Sequence, residues 1–241
     1  MESPKVELIS EKRIFDNYFK VDEATFKEID SDGNEVTYTR LKLDRPDAVS
    51  VMVYNSDEDT VILVKQDRYA VEKKAGGKIF EIPAGKMDEG EDPKETARRE
   101  VLEEIGYDIK EESLMFLNRF FASPGYSSET VFLFAASVTN ADRVTDGGGL
   151  ESEHENIDIY NVPVTEFFDM VANGGIIDAK SLMGAQALWH LRNQHVVDAG
   201  KKYIEIQRLE RAKITAEKVI NEESDDDSKP EGNTDAEETT K

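Results

Sequence analysis

Short runs of β-branched and aromatic residues, separated by polar turns, recur along the chain up to position 164. Such runs predict β-strands, and near the N-terminus they occur at positions 15–21, 24–29 and 35–41. The last two flank a polar turn at positions 30–34, which predicts a hairpin in a strand-rich leader over residues 5–45. Further strands are predicted at positions 48–54, 61–65, 78–82, 114–121, 130–138 and 156–164.

A helix is predicted between Asp92 and Gly106 because the residues at both ends suit helix termini. Asp92 is a good N-cap, Pro93 fits the first helical position, and Gly106 favours the conformation that ends a helix. An apolar residue recurs at every fourth position from Ala97 to Ile105, which predicts a stripe that packs on a sheet. Three further helices are predicted at positions 164–173, 181–194 and 202–220.

The composition, 38% hydrophobic and 34% charged, is typical of a globular protein with a large charged surface. No apolar run approaches the ~20 residues that span a bilayer, so we expect no membrane association. The first residues lack the apolar segment of a signal peptide, and the absence of cysteine excludes disulfides and a thiol nucleophile. These features predict a cytoplasmic protein.

The formal net charge of −22 argues against nucleic acid as a partner, because a polyanion is repelled by an acidic surface. Nine acidic residues and two lysines lie in residues 221–241, where large apolar residues are almost absent. This composition predicts a disordered tail, which acts in solubility or interaction or has no specific role. Without these residues the chain is still acidic.

Glu100, Glu103 and Glu104 are spaced so that a helix places their carboxylates on one face. Three like charges side by side destabilise an isolated helix, and a cation is the natural compensation. Carboxylate oxygens are the ligands that hard divalent cations prefer. The spacing therefore predicts a divalent metal site, although charge clusters on helices are more commonly solvated surfaces.

Residues 85–107 read GKMDEGEDPKETARREVLEEIGY, and their spacing, G-x5-E-x7-R-E-U-x-E-E-x-G-U, resembles the box of the Nudix hydrolases. Tyr107 replaces the usual aliphatic residue at the last position, which is a packing site. The resemblance implies an α/β/α sandwich with a mixed sheet, an α/β (α+β) fold, behind the antiparallel strand-rich leader. It also implies hydrolysis of a nucleoside diphosphate linked to another group.

Two segments outside the box are similar to the ADP-ribose pyrophosphatase branch of this family. Residues 123–129, SPGYSSE, resemble its SPG motif, and residues 65–68, KQDR, resemble its Gln-x-Arg segment. In that branch the leader commonly exchanges strands across a homodimer. The implied organisation is a dimerisation subdomain at 1–45, a Nudix hydrolase domain at 46–200, a helix at 201–220 and the acidic tail at 221–241.

The resemblance implies Mg²⁺ as the cofactor, with Mn²⁺ as a possible replacement. Glu100 and Glu104 are the expected core ligands, Glu103 helps in a site with several metal ions, and the Ala84 carbonyl is the backbone ligand. Arg99 is expected to orient the glutamates through a charge-assisted bond.

The catalytic base is expected on the glycine-rich acidic loop at 145–156, which resembles a late loop of the family. Glu153 is the first candidate and Glu155 the second. The glycines would let the loop close over the substrate. The alternative is an acidic surface loop without a catalytic role.

Arg68, Ser123, Gly125 and Glu129 are the residues expected to contact the substrate. Arg68 would bind phosphate and Glu129 a sugar hydroxyl, or both are ordinary surface charges. ADP-ribose is the favoured substrate; the glycines at 147–149 suggest GDP-mannose as the main alternative, ahead of UDP-sugars. A non-catalytic nucleotide-sugar sensor is a minor alternative, because all three glutamates of the box are present.

Overall fold

The computed structural model describes residues 5–153 and 155–193. The chain divides into two compact units, Met1–Trp189 and His190–Lys241, and only residues 190–193 of the second are described. Within the described ranges no helix is long and apolar enough to cross a membrane. The helix predicted at 202–220 and the tail at 221–241 lie outside the described residues.

The leader forms a three-stranded antiparallel sheet in the order β1-β2-β3. Its strands are β1 (Lys5–Asp16), β2 (Lys20–Ile29) and β3 (Glu35–Asp44). The predicted hairpin joins β2 to β3, and its turn is stabilised by Asp30, whose carboxylate accepts bonds from the backbone of Asp32 and Asn34.

The strand predicted at 15–21 is wrong, because a turn at positions 17–19 separates β1 from β2. The Asn17 side chain accepts a 2.7 Å hydrogen bond from the backbone N–H of Tyr18. The Asn17 N–H in turn donates to the carbonyl of Phe19 at 3.0 Å. Local bonding of this kind favours a turn over an extended strand.

The second sheet is mixed and has seven strands in the order β10-β5-β4-β9-β8, with β6 beside β5 and β7 beside β4. Strands β4 and β9 run parallel, and the other neighbours are antiparallel. The strands are β4 (Ala48–Asn55), β5 (Thr60–Asp67), β6 (Lys78–Glu81), β7 (Ala84–Lys86), β8 (Met115–Phe121), β9 (Thr130–Val138) and β10 (Asp158–Pro163).

The helices are α1 (Glu72–Ala75), α2 (Pro93–Ile105), α3 (Val164–Ala172) and α4, which runs from 179 to the end of the described residues at 193. Both predicted ends of α2 are confirmed. The Asp92 carboxylate accepts a 2.8 Å bond from the N–H of Lys94, and Pro93 is the first helical residue. Gly106 has φ +80° and donates its N–H to the Leu102 carbonyl.

The mixed sheet is covered on both faces, which confirms the predicted sandwich. Val49, Val51 and Val53 of β4 belong to one core cluster together with the apolar stripe of α2. Met52 belongs to a second cluster with Phe167 of α3 and residues of α4. Phe167 has no exposed surface, and burial of such a side chain contributes about 1.5–3 kcal/mol. The alternation along β4 thus fixes α2 on one face and α3 with α4 on the other.

Candidate active site

The carboxylates of α2 lie against β7, where Gly85 allows a close approach. A Cβ atom at Gly85 would overlap the carboxylate of Glu100, so no residue with a side chain fits without moving that group. The neighbouring N–H of Ala84 donates a 3.0 Å hydrogen bond to Oε2 of Glu104. The first glycine of the box is therefore required by the glutamate that follows it fifteen residues later.

Glu100 and Glu104 are buried carboxylates, 9% and 1% exposed. Burial raises the pKa of Glu100 to about 7 and that of Glu104 well above its ordinary value. The ion pair with Arg99 opposes the effect at Glu100 without cancelling it, and the nearby charge of Glu155 adds to both shifts. Two acidic groups that are costly to ionise in the protein alone are suited to a bound cation.

Arg99 connects three glutamates of the box. Its NH1 group lies 2.8 Å from Oε1 of Glu100 and 3.2 Å from Oε2 of Glu103, and its Nε lies 3.2 Å from Oε1 of Glu91. The Arg99 hydrogen bonds hold the pKa of Glu91 at about 2. These contacts agree with the expected orienting role of Arg99.

The predicted metal ligands are near one another, but their side chains are not arranged around one metal position. Among the described residues no group of three or more acidic or histidine side chains is already arranged around a common metal position. Glu100 and Glu103 are instead held by Arg99. The donor set itself, two buried carboxylates of which one accepts from the N–H of Ala84, fits a hard divalent cation by its chemistry.

The site opens into a cavity of about 240 Å³ in which acidic and basic side chains meet. Of the predicted site residues the structure brings together Arg68, Ala84, Arg99, Glu100, Glu103 and Glu155 in its lining. The remaining lining residues are Tyr18, Arg45, Gly85, Lys86, Asp88 and Leu150. Carboxylates suited to a metal and basic groups suited to phosphate therefore face one space.

The glycine-rich loop is bonded directly to the C-terminus of α2. The N–H groups of Gly148 and Gly149 donate to the carbonyls of Glu104 and Glu103 at 2.9 and 3.0 Å. Gly149 has φ +82°, and a Cβ atom there would overlap the side chain of Glu155. The two N–H groups thus satisfy carbonyls at the C-terminus of α2 that have no partner within the helix.

The two candidate bases differ in what the structure records. Glu155 lines the cavity, and its Oε2 accepts a 3.3 Å bond from the N–H of Leu150. Glu153 ends a single 3₁₀ turn, Glu151–Glu153, and its side chain lies outside the description. The base assignment therefore stays a prediction.

The NUDIX domain model matches residues 44–182, more than half of the chain. The chain belongs to the Nudix family. It is 33% identical over 198 residues to a GDP-mannose pyrophosphatase of Cronobacter sakazakii (strain ATCC BAA-894), which covers 81% of this chain and 100% of that protein. It is 32% identical over 188 residues to a GDP-mannose pyrophosphatase of Enterobacter sp. (strain 638), with 77% and 96% covered.

A solved structure described as an ADP compounds hydrolase has a similar fold, with a TM-score of 0.59 and 20% sequence identity. The match covers 78% of this chain and 96% of that chain. At this identity the likeness supports the Nudix fold, including the leader sheet, and nothing finer. The family model and the two relatives make this protein a Nudix hydrolase.

Among the cavity residues of this Nudix hydrolase that were not found from its sequence, two come from the leader. Tyr18 lies in the turn between β1 and β2 and is 80% exposed. Arg45 follows β3, and its guanidinium carbon lies 5.6 Å from the centre of the Phe19 ring. No local sequence pattern marks either position, because both residues come from the leader rather than from the sheet that carries the Nudix box.

Three predicted substrate contacts of the Nudix hydrolase lie outside the cavity lining. Glu129 is 3.4 Å from NH2 of Arg45, so it adjoins the cavity through that residue. Ser123 and Gly125 belong to a turn in which the Ser123 carbonyl accepts from the N–H groups of Tyr126 and Ser127. The turn is hydrogen-bonded to the backbone of Leu43 in β3, so the 123–129 segment connects the leader to the mixed sheet.

Proposed function

We propose that this Nudix hydrolase cleaves the pyrophosphate bond of a nucleoside diphosphate sugar in a reaction that depends on Mg²⁺. The observation that carries the proposal is the shared cavity in which Glu100 and Glu103 of α2 face Arg45, Arg68 and Lys86. A pyrophosphate carries several negative charges, and this cavity offers it both basic side chains and carboxylates for a bridging cation.

Glu100, Glu104 and the Ala84 carbonyl would hold the cation, with Glu103 available to a second one. When bound, Mg²⁺ or Mn²⁺ screens the phosphate oxygens and lowers the pKa of a coordinated water. Arg99 is proposed as the group that orients the glutamates before the cation binds. Its three carboxylate contacts support this role.

Glu155 is proposed as the base that takes a proton from the attacking water. Its place in the lining beside Glu100 supports this choice, since a base has to lie within hydrogen-bond reach of that water or one water away. Glu153, ranked first from the sequence, is the alternative because it lies two residues away on the same loop.

GDP-mannose is the substrate that we place first. The relatives that support it are 32–33% identical over at least 77% of this chain and carry the name GDP-mannose pyrophosphatase. ADP-ribose, ranked first from the sequence, is the second candidate, and the 123–129 segment favours it. The expected products are a nucleoside monophosphate and a sugar phosphate.

The leader sheet is proposed to pair two copies of the chain. Large apolar side chains on its strands are 47–58% exposed: Val6, Leu8, Ile9, Ile14, Phe15, Val36 and Leu41. A stable interface buries about 800 Å² per partner, and exposed apolar side chains favour such burial. Light scattering after size-exclusion chromatography tests the pairing, and a monomeric mass at micromolar concentration would contradict it.

The decisive experiment is a hydrolysis screen with GDP-mannose, ADP-ribose, UDP-glucose and NADH, each with Mg²⁺, with Mn²⁺ and with EDTA. We expect turnover of GDP-mannose or ADP-ribose that EDTA abolishes. The matched control is Glu104→Gln, which keeps the shape of the side chain and removes its charge. Tight binding of a nucleotide sugar without turnover would favour the sensor alternative.

A further inference from the structure

Arg68 enters the active-site cavity with one edge of its guanidinium already bound. Its Nε and NH2 groups donate to Oε2 of Glu81 at 3.0 and 2.7 Å. Within the described part of the chain, NH1 of Arg68 makes no hydrogen bond to another side chain or to the backbone. Glu81 is 5% exposed, so its carboxylate depends on protein partners rather than on water.

The second oxygen of Glu81 faces Lys180, near the start of α4. The Lys180 Nζ atom lies 3.6 Å from Oε1 of Glu81 and 2.7 Å from Oδ1 of Asp178. Arg68 and Lys180 thus contact different oxygens of one buried carboxylate. Lys180 does not itself line the cavity.

The start of α4 is held firmly against the strand that precedes the box. The Asp178 carboxylate accepts from both the N–H and the hydroxyl of Ser181, at 2.9 and 2.7 Å. The Ser181 hydroxyl oxygen accepts a 2.9 Å bond from the N–H of Ile82, and Ser181 has no exposed surface. Lys180 therefore approaches Glu81 from a fixed position.

We infer that Lys180 is a positioning residue of this active site, which sets the direction of Arg68 through Glu81. The inference rests on the proposed function, in which Arg68 binds a phosphate of the substrate. With Lys180 on Oε1, Arg68 is restricted to Oε2 and keeps NH1 for a ligand. Without it, both oxygens of Glu81 become available, and a guanidinium prefers to form two parallel bonds with two carboxylate oxygens. Bonds from Nε and NH2 to separate oxygens would rotate the guanidinium and move NH1 out of its present direction in the cavity.

The first experiment observes Arg68 directly and needs no substrate. The ¹⁵N–¹H signal of its Nε group is assigned by its loss in Arg68→Lys. We expect the signal to shift in Lys180→Met and to return in Lys180→Arg. Lys78→Met is the matched control, because Lys78 pairs with Asp158 at 3.3 Å on the surface and contacts neither Glu81 nor the cavity.

An Arg68 signal that is unchanged in Lys180→Met, or equally changed in Lys78→Met, overturns the inference. If Lys180→Met does not fold, as judged by circular dichroism and its melting temperature, Lys180→Gln replaces it, because an amide can still bond Asp178. The Arg68 signal can be measured whether or not the chain hydrolyses a nucleotide sugar. The inference about Lys180 can therefore fail independently of the proposed function.

The second experiment is steady-state kinetics on whichever substrate the wild type hydrolyses. We expect Lys180→Met to raise KM about ten-fold, which is about 1.4 kcal/mol, with kcat nearly unchanged. In an Arg68→Ala background the same substitution should have no further effect, since Lys180 acts through Arg68. Multiplicative effects in the double variant, or a fall in kcat alone, would refute the positioning role.

Discussion

Replacing Glu100 by glutamine should stabilise the metal-free protein at neutral and alkaline pH. The pKa of Glu100 rises from an ordinary 4.5 to about 7 in the folded chain, chiefly because the carboxyl is buried. Between these values the folded state binds more protons than the unfolded state, so the free energy of unfolding falls as the pH rises. Glutamine has the same shape and does not ionise.

The expected size follows from the shift. A difference of 2.5 pKa units corresponds to about 3 kcal/mol once the pH exceeds both values, because each unit is worth about 1.4 kcal/mol. In a protein of this length that free energy is worth roughly 6–12 °C in melting temperature. Glu100→Gln should therefore exceed the wild type by less than about 1 kcal/mol near pH 5 and by about the full amount near pH 8.

The assay is thermal and urea denaturation in EDTA across the range of about pH 5–8, with Mg²⁺ added in a second series. Mg²⁺ should raise the stability of the wild type and leave that of Glu100→Gln nearly unchanged. Glu91→Gln is the control of opposite sign, because Arg99 lowers the pKa of Glu91 to about 2 and its charge stabilises the fold at neutral pH. Parallel stability curves for wild type and Glu100→Gln would refute the reasoning.

Glu104→Gln should lower turnover by at least about a hundred-fold with an unchanged far-ultraviolet spectrum, since it removes a carboxylate proposed to bind the metal; near-normal turnover would remove Glu104 from the site. Glu155→Gln should lower kcat by about a hundred-fold or more with KM retained, and Glu153→Gln should leave kcat nearly unchanged. The reverse pattern in single-substrate kinetics would assign the role of base to Glu153. Gly149→Ala should lower the free energy of unfolding by about 1–3 kcal/mol more than Gly33→Ala, because both glycines have positive φ but only Gly149 packs against other atoms. Equal melting temperatures for these two variants would show that packing at Gly149 is not tight.

Helix α2 could be predicted from the sequence because its signals are local. Asp92, Pro93 and Gly106 mark both ends within the sequence of the helix, and the glutamates occur at a fixed spacing between them. Six of the seven strands of the mixed sheet were predicted for the same reason, from runs of β-branched residues bounded by polar turns; β7, with only three residues, carries no such run. In each case neighbouring residues alone determine the element.

The cavity wall could not be predicted in the same way. Tyr18 and Arg45 reach it through the pairing of the leader with the mixed sheet, and no local pattern encodes that approach. Lys180 lies almost a hundred residues from Glu81, in a helix that the sequence placed only by its apolar face. The 15–21 run was misjudged because the bonding of the Asn17 side chain outweighed the strand preference of its aromatic neighbours.

The bonds from Gly148 and Gly149 to α2 have a consequence for how substrate affinity depends on ionic strength. In many nucleotide-binding proteins the N–H groups of a glycine run bind phosphate directly, but here both are used inside the protein. In the proposed function the phosphates would be bound by a cation and by charged side chains, and the attraction between such charges is screened by salt over about 8–10 Å at ordinary ionic strength. Substrate affinity should therefore fall as ionic strength rises. The hydrogen bonds of Gly148 and Gly149 should not change over the same range of ionic strength.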